Sequence, residues 1–148
     1  MRLDIRKTEV LDRDDILQWR NDPVSREQSF QSNLISESNH RNWFNQMMVD
    51  KKQNAYIGII ASDKTKIGFA HLKNDTAGIC TVSVNLNPVQ RGKGLGSKLL
   101  QKVIEDHSSF NDVVYLALIK STNLASIRCF EKAGFASYEN KSGVVTMI

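Results

Sequence analysis

The stretch NPVQRGKGLG, residues 87–96, joins a strand-like run to a run with helical periodicity. Its three glycines let the backbone come close to a ligand, and the first N–H groups of the following helix are unpaired donors at the positive end of the helix dipole. Arg91 and Lys93 add positive charge. The pattern favours a loop that binds an anion such as a diphosphate. The alternative is a tight turn whose cations are only solvated.

The glycine spacing excludes two other phosphate-binding loops. A dinucleotide fold requires G-x-G-x-x-G early in a βαβ unit, with an acidic residue about 20 positions later. A P-loop requires G-x-x-x-x-G-K-[ST]. Neither pattern is present in the chain.

Working outward from this loop, hydrophobic periodicity predicts an α+β domain on a mixed sheet. Alternating runs indicate strands, and apolar residues that recur every three or four positions indicate helices. Pro23 is expected to end the first helix. The predicted elements are a strand over 2–6, a helix over 14–21 with Asp12 as its N-cap, a polar loop over 24–33, a helix over 37–50 capped by Ser36, an antiparallel meander of strands over 55–61, 66–73 and 78–86, a helix from Leu95, a strand over 113–119 covered on both faces, a helix over 123–133, and one or two strands over 135–148.

Composition indicates a small globular protein of 148 residues, with 41% hydrophobic residues, 24% charged residues and a net charge of +4. We expect one domain over residues 1–148, because a second would not fit. Cys80, Cys129 and the three dispersed histidines lack metal-ligand spacing, so we expect no metal and a reducing, cytoplasmic location. The longest apolar run, 56–61, is far below the roughly 18 residues that span a bilayer, so no membrane partner is expected. The charge is too weak for a nucleic-acid partner.

Two sequence blocks carry a more specific signal. Residues 91–96 match the pattern [RQ]-x-x-G-x-[GA], and L-x-P precedes them at 86–88. Residues 123–135, NLASIRCFEKAGF, match N-x-x-[AS]-x-x-x-[YF]-x-x-x-G-F. In this order, and within the predicted elements, the two blocks resemble the GCN5-related N-acetyltransferase (GNAT) superfamily, which transfers the acetyl group of acetyl-CoA to amines. The resemblance covers essentially the whole chain.

The resemblance implies a fold, a cosubstrate and a set of binding residues. The fold would be the GNAT fold, a mixed, mostly antiparallel sheet that is splayed at the cofactor site and flanked by about four helices. Acetyl-CoA would be the cosubstrate, and the bound amine would attack it directly, since no Cys/His/Asp arrangement suggests an acetyl-enzyme. The implied cofactor-binding residues are Val84, Asn85, Leu86, Arg91, Gly92, Lys93, Gly94, Leu95, Gly96, Ser97, Asn123 and Phe130. On this basis we expect Gly94→Val and Gly96→Val to weaken cofactor binding with little loss of fold.

Two positions depart from the family pattern. Many members carry a tyrosine at the Phe130 position, which protonates the leaving thiolate; Phe130 cannot do so. Members that acetylate protein N-termini often carry a glutamate where this chain has Leu118. The general base is left open, and the candidate proton-transfer residues are His71, Ser83, Asn85, Tyr115 and Ser121. His71 is the only histidine we consider as a base, and the alternative is that it has a purely structural role.

The amino-terminal third resembles the GNAT subgroup that acetylates nucleotide-linked aminosugars, which makes such a small-molecule amine the expected acceptor. Trp19, Arg20 and His40 are the candidate acceptor-binding residues. Arg20 could pair with a phosphate and a tryptophan could stack on a base or sugar. Alternatively, the tryptophans pack in the core and Arg20 caps its helix.

The sequence also leaves other functions open. They are acetylation of a ribosomal-protein-type N-terminus or of another small amine, a CoA-binding module without catalysis, and a nucleic-acid binder that uses Arg91, Lys93 and Lys120. The oligomeric state is left open as monomer or homodimer.

Overall fold

The chain folds around one seven-stranded sheet, and the computed structural model describes residues 2–148. Two single 3₁₀ turns, Val10–Asp12 and Pro88–Gln90, precede helices α1 and α4. The elements are β1 (Leu3–Lys7), α1 (Arg13–Asn21), α2 (Pro23–Gln28), α3 (Glu37–Val49), β2 (Gln53–Ile60), β3 (Lys66–Asn74), β4 (Ile79–Leu86), α4 (Leu95–Ser108), β5 (Val114–Lys120), α5 (Leu124–Lys132), β6 (Ser137–Lys141) and β7 (Val144–Met147).

The sheet is mixed and mostly antiparallel, as predicted. Its strand order is β1-β2-β3-β4-β5-β7-β6, and β4 and β5 are the one parallel pair among the described strands. These two strands pair over three positions, from Ile79↔Val114 to Thr81↔Leu116, and then diverge. On its other side β4 stays paired with β3 as far as Leu86. The backbone of β4 from Val82 to Leu86 therefore has an open edge on the β5 side, which is the predicted splay.

Two apolar clusters cover the two faces of the sheet. On one face α1 and α3 pack Ile16, Trp19 and Phe44 against β2 and β3. On the other face α4 buries Leu99, Leu100 and Val103 against the same strands. The alternation of side chains along each strand assigns neighbouring residues to opposite clusters.

A bulge modifies that alternation in β3. The sequence predicts that Ile67, Phe69 and His71 share a face, but the β2–β3 register shifts after Gly58. Gly58 pairs with Gly68 and Ile59 pairs with Lys66, which leaves Ile67 without a partner on β2. Ile67 therefore points into the α4 cluster instead of the face that holds Phe69. Phe69 stays on the α1 and α3 face.

The prediction of a polar loop over 24–33 is wrong for the first half of that segment, since Pro23–Gln28 forms helix α2. Asp22 has the extended ψ of 135° that a residue before proline favours, so α1 does end at Asn21. Pro23, however, occupies the first helical position, where its missing N–H costs nothing. The Asp22 side chain accepts hydrogen bonds from the backbone N–H groups of Val24 and Ser25 and caps the new helix.

Two further expectations need correction. Asp12 occupies the N-cap position of α1, but its side chain makes no cap hydrogen bond there; it is buried and pairs with Arg6 and Lys66. Strand β5 is not covered on both faces, because Val114 is 57% and Leu118 is 48% exposed. Within residues 2–148, no helix has the length and hydropathy needed to cross a bilayer, and no cluster of three metal-ligating side chains occurs.

Candidate active site

The glycine loop between β4 and α4 forms an open cradle of backbone. Gly92 and Gly94 have φ values of +76° and +71°, which side-chain-bearing residues rarely adopt, and a Cβ at either position would meet nothing within 4 Å. Gly94 is the N-cap of α4 and supplies no side-chain cap. The first N–H groups of α4 therefore face this open space as free donors. This arrangement fits the diphosphate of acetyl-CoA.

Gly96 has a different role from the other two glycines. It lies in the first turn of α4, where an added Cβ would come within 2.9 Å of the Cys129 Sγ of α5. Burial raises the pKa of the Cys129 thiol to about 11, so this sulfur acts as an inert packing group. Gly96 thus permits close packing of α4 on α5. This contact argues against the expectation that Gly96→Val costs little stability, because a valine side chain would press on the Cys129 sulfur.

A cavity of about 940 Å³ is lined by the glycine loop, by the open edge of β4 and by residues of α1, α2 and α3. The cradle and the opened strand therefore belong to one space, and that space reaches the amino-terminal helices. Its lining includes eleven of the twelve expected cofactor residues, namely Val84, Asn85, Leu86, Arg91, Gly92, Gly94, Leu95, Gly96, Ser97, Asn123 and Phe130. The twelfth, Lys93, does not line the cavity, and its Nζ donates to Gln90 Oε1 at 3.2 Å.

Asn123 and Phe130 have structural roles as well as their place on the cavity wall. The Asn123 side chain accepts from the Ser126 N–H and caps α5. The Phe130 ring is 3% exposed and packs edge-on against Phe135, with ring centroids 5.0 Å apart. These contacts hold α5 against the cavity.

Arg91 ties the glycine loop to helix α2. One guanidinium nitrogen donates to Asp22 Oδ2 at 2.9 Å, and the other donates to Ser25 Oγ at 2.7 Å. Ser25 in turn donates to Asn85 Oδ1 on β4 at 3.1 Å. Asp22 and Ser25 were not identified from the sequence, although the cap signal Asp22-Pro23 could have located them. Arg91 therefore links the glycine loop, the open strand and α2.

A cationic group lies at the α1 and α3 end of the cavity. The Arg20 guanidinium lies 4.4 Å from the centroid of the Trp43 ring and donates to His40 Nδ1 at 3.2 Å. His40 is buried, and its Nε2 donates to the Arg13 carbonyl at 2.8 Å, so its Nδ1 is an acceptor. Burial lowers the pKa of Arg20. Arg20 does not cap its own helix; it is held over Trp43 beside the cavity.

His71, Ser83 and Asn85 line the same end of the cavity. His71 Nε2 lies 2.7 Å from Gln53 Oε1. The pKa of His71 is lowered to about 4, mainly by burial. Gln53 was missed by the sequence analysis, because only the β2–β3 register brings it next to His71.

The other candidates lie away from the cavity wall. The Tyr115 hydroxyl is 2.6 Å from His107 Nδ1, and burial raises the pKa of Tyr115 to about 12. The Ser121 backbone N–H pairs with the Gly143 carbonyl, and neither Tyr115 nor Ser121 lines the cavity. Trp19 is 4% exposed and packs in the α1 and α3 cluster, and His40 lies behind Arg20.

The charge of the cavity wall has one sign. Among the described residues that line it, five side chains are cations and none is an aspartate or glutamate. The cations are Arg20, Arg91, Lys120, Arg128 and Lys132. Such a wall attracts anionic ligands and disfavours cationic ones.

Three comparisons with known proteins agree with this fold. Residues 2–136 match the family model described as an acetyltransferase (GNAT) domain. An L-methionine sulfoximine/L-methionine sulfone acetyltransferase of Salmonella typhimurium is 43% identical over 53 residues, which is 36% of this chain and 31% of that protein. A kanamycin resistance protein of Rhizobium radiobacter is 41% identical over 61 residues, 40% of this chain and 53% of that protein. The matched segments thus span about a third and about half of these relatives.

A similar solved structure is the spermidine N-acetyltransferase from Vibrio cholerae in complex with CoA and spermine. It superposes with a TM-score of 0.85 over 98% of this chain and 93% of that chain, at 18% identity. At that identity the likeness concerns the fold. Together with the family match over most of the sequence, it shows that this chain belongs to the GNAT acetyltransferase family.

Proposed function

We propose that this protein is an acetyl-CoA-dependent N-acetyltransferase in which a primary amine attacks the thioester directly. The observation that carries the proposal is the single cavity lined by the glycine cradle, by the open edge of β4 and by His71. Bound acetyl-CoA supplies an activated acetyl group. The N–H groups of the cradle bind phosphate oxygens, and the unpaired groups of β4 bind the amides of the pantetheine arm as a neighbouring strand would.

The chain's own residues position the reacting groups. A β4 backbone N–H directed at the acetyl carbonyl would stabilise its developing negative charge, and such a donor typically contributes about two to three orders of magnitude in rate. Gln28 Oε1 is a buried acceptor with no hydrogen-bond partner among the described residues, and Gln28 lines the cavity. An N–H or O–H group of a bound ligand would satisfy it. A thiol with a pKa near 8.5 leaves without a tyrosine at position 130.

The acceptor we propose is an amine that also carries negative charge, as a nucleotide-linked aminosugar does. Arg20 supports this class, because its guanidinium has no carboxylate partner among residues 2–148 and lies beside the cavity. The absence of a carboxylate from the described cavity wall argues against polycations such as spermine and kanamycin. A free amino acid with a carboxylate is a second acceptor of the same charge, and the methionine sulfoximine acetyltransferase that this chain resembles is named for such substrates.

The test is release of CoA thiol from acetyl-CoA with a matched panel of amines. The panel holds UDP- and dTDP-linked 4-amino-6-deoxyhexoses, the same sugars without nucleotide, methionine sulfoximine, spermine, kanamycin and an N-terminal peptide. We expect turnover with an anionic amine, and the nucleotide-free sugars show whether the phosphates are recognised. Preference for spermine or kanamycin would contradict the acceptor class, and turnover of the peptide alone would indicate an N-terminal acetyltransferase.

Two arginine variants connect the panel to the structure. Arg20→Gln should raise the KM of the anionic acceptor by about 10-fold or more, because a hydrogen bond to a charged group contributes about 1.5 to 3 kcal/mol. Its KM for acetyl-CoA should change little. The matched control is Arg128→Gln, which removes a cavity-lining cation from α5. Equal effects of the two variants on the acceptor KM would show that Arg20 makes no specific contact.

A further inference from the structure

His71 belongs to a hydrogen-bonded series that begins in the connection between α3 and β2. The Asp50 carboxylate, at the C-cap of α3, accepts from the Lys52 N–H at 2.9 Å and from Gln53 Nε2 at 2.9 Å. Gln53 then presents its Oε1 to His71 Nε2 at 2.7 Å. The register explains the contact, since Ala55 pairs with His71 and Gln53 lies two residues before Ala55 on the same face of the sheet.

These contacts determine which nitrogen of His71 carries the proton. Hydrogen bonds from Gln53 and Lys52 lower the pKa of Asp50, so its carboxylate is ionised and can only accept. The Gln53 amide must therefore direct its Nε2 to Asp50 and its Oε1 to His71. Because an amide oxygen only accepts, His71 Nε2 must be protonated. In the neutral ring the Nδ1 atom is then an acceptor.

The surroundings of His71 keep the ring neutral. The ring stacks on Phe69 with centroids 6.2 Å apart and meets the edge of Trp43 at 5.8 Å. The charged groups that face it are Arg20 from α1 and Lys73 from β3, and both disfavour the imidazolium. Among residues 2–148, no side chain or backbone group hydrogen-bonds Nδ1, and this atom is not one of the buried unsatisfied atoms. Nδ1 is thus an accessible acceptor on a residue that lines the cavity.

We propose that His71 Nδ1 takes the proton of the attacking amine, and that Gln53 and Asp50 are positioning residues that fix its tautomer. The inference rests on the proposed acetyltransferase function. As the amine nitrogen forms its bond to the acetyl carbonyl carbon, the C–S bond breaks and its electron pair leaves on sulfur. One N–H proton passes to Nδ1. The imidazolium so formed faces Arg20 and Lys73, so it gives the proton up readily, to the thiolate or to solvent.

The first experiment needs no substrate. Long-range ¹H–¹⁵N NMR spectra of the histidine rings in the wild-type protein at pH 7 report which nitrogen is protonated. We expect the Nε2–H tautomer for His71, with no titration of this ring above pH 5.5. In Gln53→Met, which keeps the side-chain length but has no amide oxygen, the Nε2–H preference should weaken. An Nδ1–H tautomer in the wild type would overturn the proposal.

Kinetics then separate proton transfer from packing. His71→Phe keeps an aromatic ring beside Phe69 and Trp43, so it should fold and bind acetyl-CoA with a KM within about 3-fold of wild type. Its kcat should fall about 10-fold or more. A positioned base typically contributes about 10² to 10⁴, and a pKa of about 4 makes His71 a weaker base than that range assumes. A kcat for His71→Phe within a few-fold of wild type would assign His71 a packing role and overturn the inference.

Gln53 variants test the positioning role. Gln53→Met should lower kcat with little change in the KM for acetyl-CoA. Gln53→Glu keeps an acceptor for His71 Nε2 but loses the donor to the Asp50 carboxylate. Its negative charge raises the pKa of His71, so the acid limb of kcat should move to higher pH than in Gln53→Met. Identical profiles for the two variants would remove Gln53 from the mechanism. Absence of wild-type turnover with every amine would refute the proposed function, whereas the NMR result would still decide the tautomer.

Discussion

At the scale of single residues, the buried carboxylate of Asp12 shows how charge is used away from the cavity. Arg6 donates to both carboxylate oxygens at 2.8 and 2.9 Å, Lys66 lies 2.8 Å away, and the Glu9 N–H donates at 2.8 Å. Burial alone would raise the pKa of Asp12, but the hydrogen bonds from Arg6 and Lys66 outweigh it and lower the pKa to about 2. Asp12 thereby joins β1, the turn before α1, and β3.

We expect Asp12→Asn to lower the free energy of unfolding at pH 7 by about 3 kcal/mol, since removing one partner of a buried ion pair leaves the other uncompensated. The folded-state pKa lies below the unfolded value near 3.8, so this carboxylate stabilises the fold above pH 4 and stops doing so as the pH falls towards 2. The gap between wild type and Asp12→Asn should therefore narrow below pH 4. Urea unfolding at pH 7, 4 and 3 measures it.

The control for this measurement is Asp14→Asn. The Asp14 side chain is 82% exposed and lies 3.6 Å from Arg13. Exposed pairs of this kind contribute little, so the change should stay within about 0.5 kcal/mol. Equal losses for the two variants at pH 7 would contradict the assignment of Asp12 as a buried anchor.

At the scale of elements, the contact between α4 and α5 depends on the missing side chain of Gly96. Alanine at this position gains about 1 kcal/mol of helix propensity but meets Cys129 Sγ at 2.9 Å, so the two effects oppose each other. We expect the change in the free energy of unfolding caused by Gly96→Ala to be more favourable by about 1 to 2 kcal/mol in a Cys129→Ala background than in the wild type. Urea unfolding of the four proteins of this cycle measures the coupling.

A second cycle serves as the control. Cys80 is also a free cysteine, and it is buried on β4 rather than on α5. Gly96→Ala and Cys80→Ala should combine additively within about 0.5 kcal/mol. If Gly96→Ala and Cys129→Ala were also additive, the contact between the two helices would not be what disfavours a side chain at position 96.

Most elements could be predicted because their signals are local. The cap at Ser36 and the apolar spacing of α4 are readable from neighbouring residues, and the structure begins α3, α4 and α5 within one residue of their predicted starts. The misplaced segment is α2, where a proline that ends one helix also begins the next. The rule that proline ends the preceding helix predicted the end of α1 but not the start of α2.

The contacts at the α1 and α3 end of the cavity could not be predicted, since they depend on long-range register and packing. His71 meets Gln53 through the β2–β3 pairing, and a bulge turns Ile67 away from the face that His71 occupies. Arg20 meets Trp43 because α1 and α3 pack side by side. The glycine loop, by contrast, is one continuous segment, and its residues Arg91, Gly92 and Gly94 line the cavity.

At the scale of the whole molecule, the cavity joins elements from both halves of the chain. Its wall takes residues from α1, α2 and α3 on one side and from β4, α4, β5 and α5 on the other. The parallel pairing of β4 with β5 lasts for three positions, so β4 lacks a strand neighbour on its β5 side beyond Thr81. A ligand that bridges this gap would add contacts between β4 and β5 where the two strands do not pair.

We therefore expect CoA to stabilise the protein markedly. At a free concentration of 100 times its Kd, it should raise the free energy of unfolding by about 2.7 kcal/mol, which corresponds to a rise in Tm of about 5 to 10 °C for a chain of this size. Pantetheine has the amide arm but no phosphate groups, so at the same concentration its shift should be much smaller. Differential scanning calorimetry with each compound measures both shifts.

The ionic strength dependence shows which part of the site produces the stabilisation. If the cradle and the cationic wall bind the phosphates, raising the salt from about 0.05 to 0.5 M shortens the range of the electrostatic attraction and should reduce the shift caused by CoA. The small shift caused by pantetheine should hardly change, because it depends on strand-like hydrogen bonds and apolar contact. Equal shifts for CoA and pantetheine at both salt concentrations would place the binding energy on β4 alone, and the open backbone at Gly92 and Gly94 would then need another explanation.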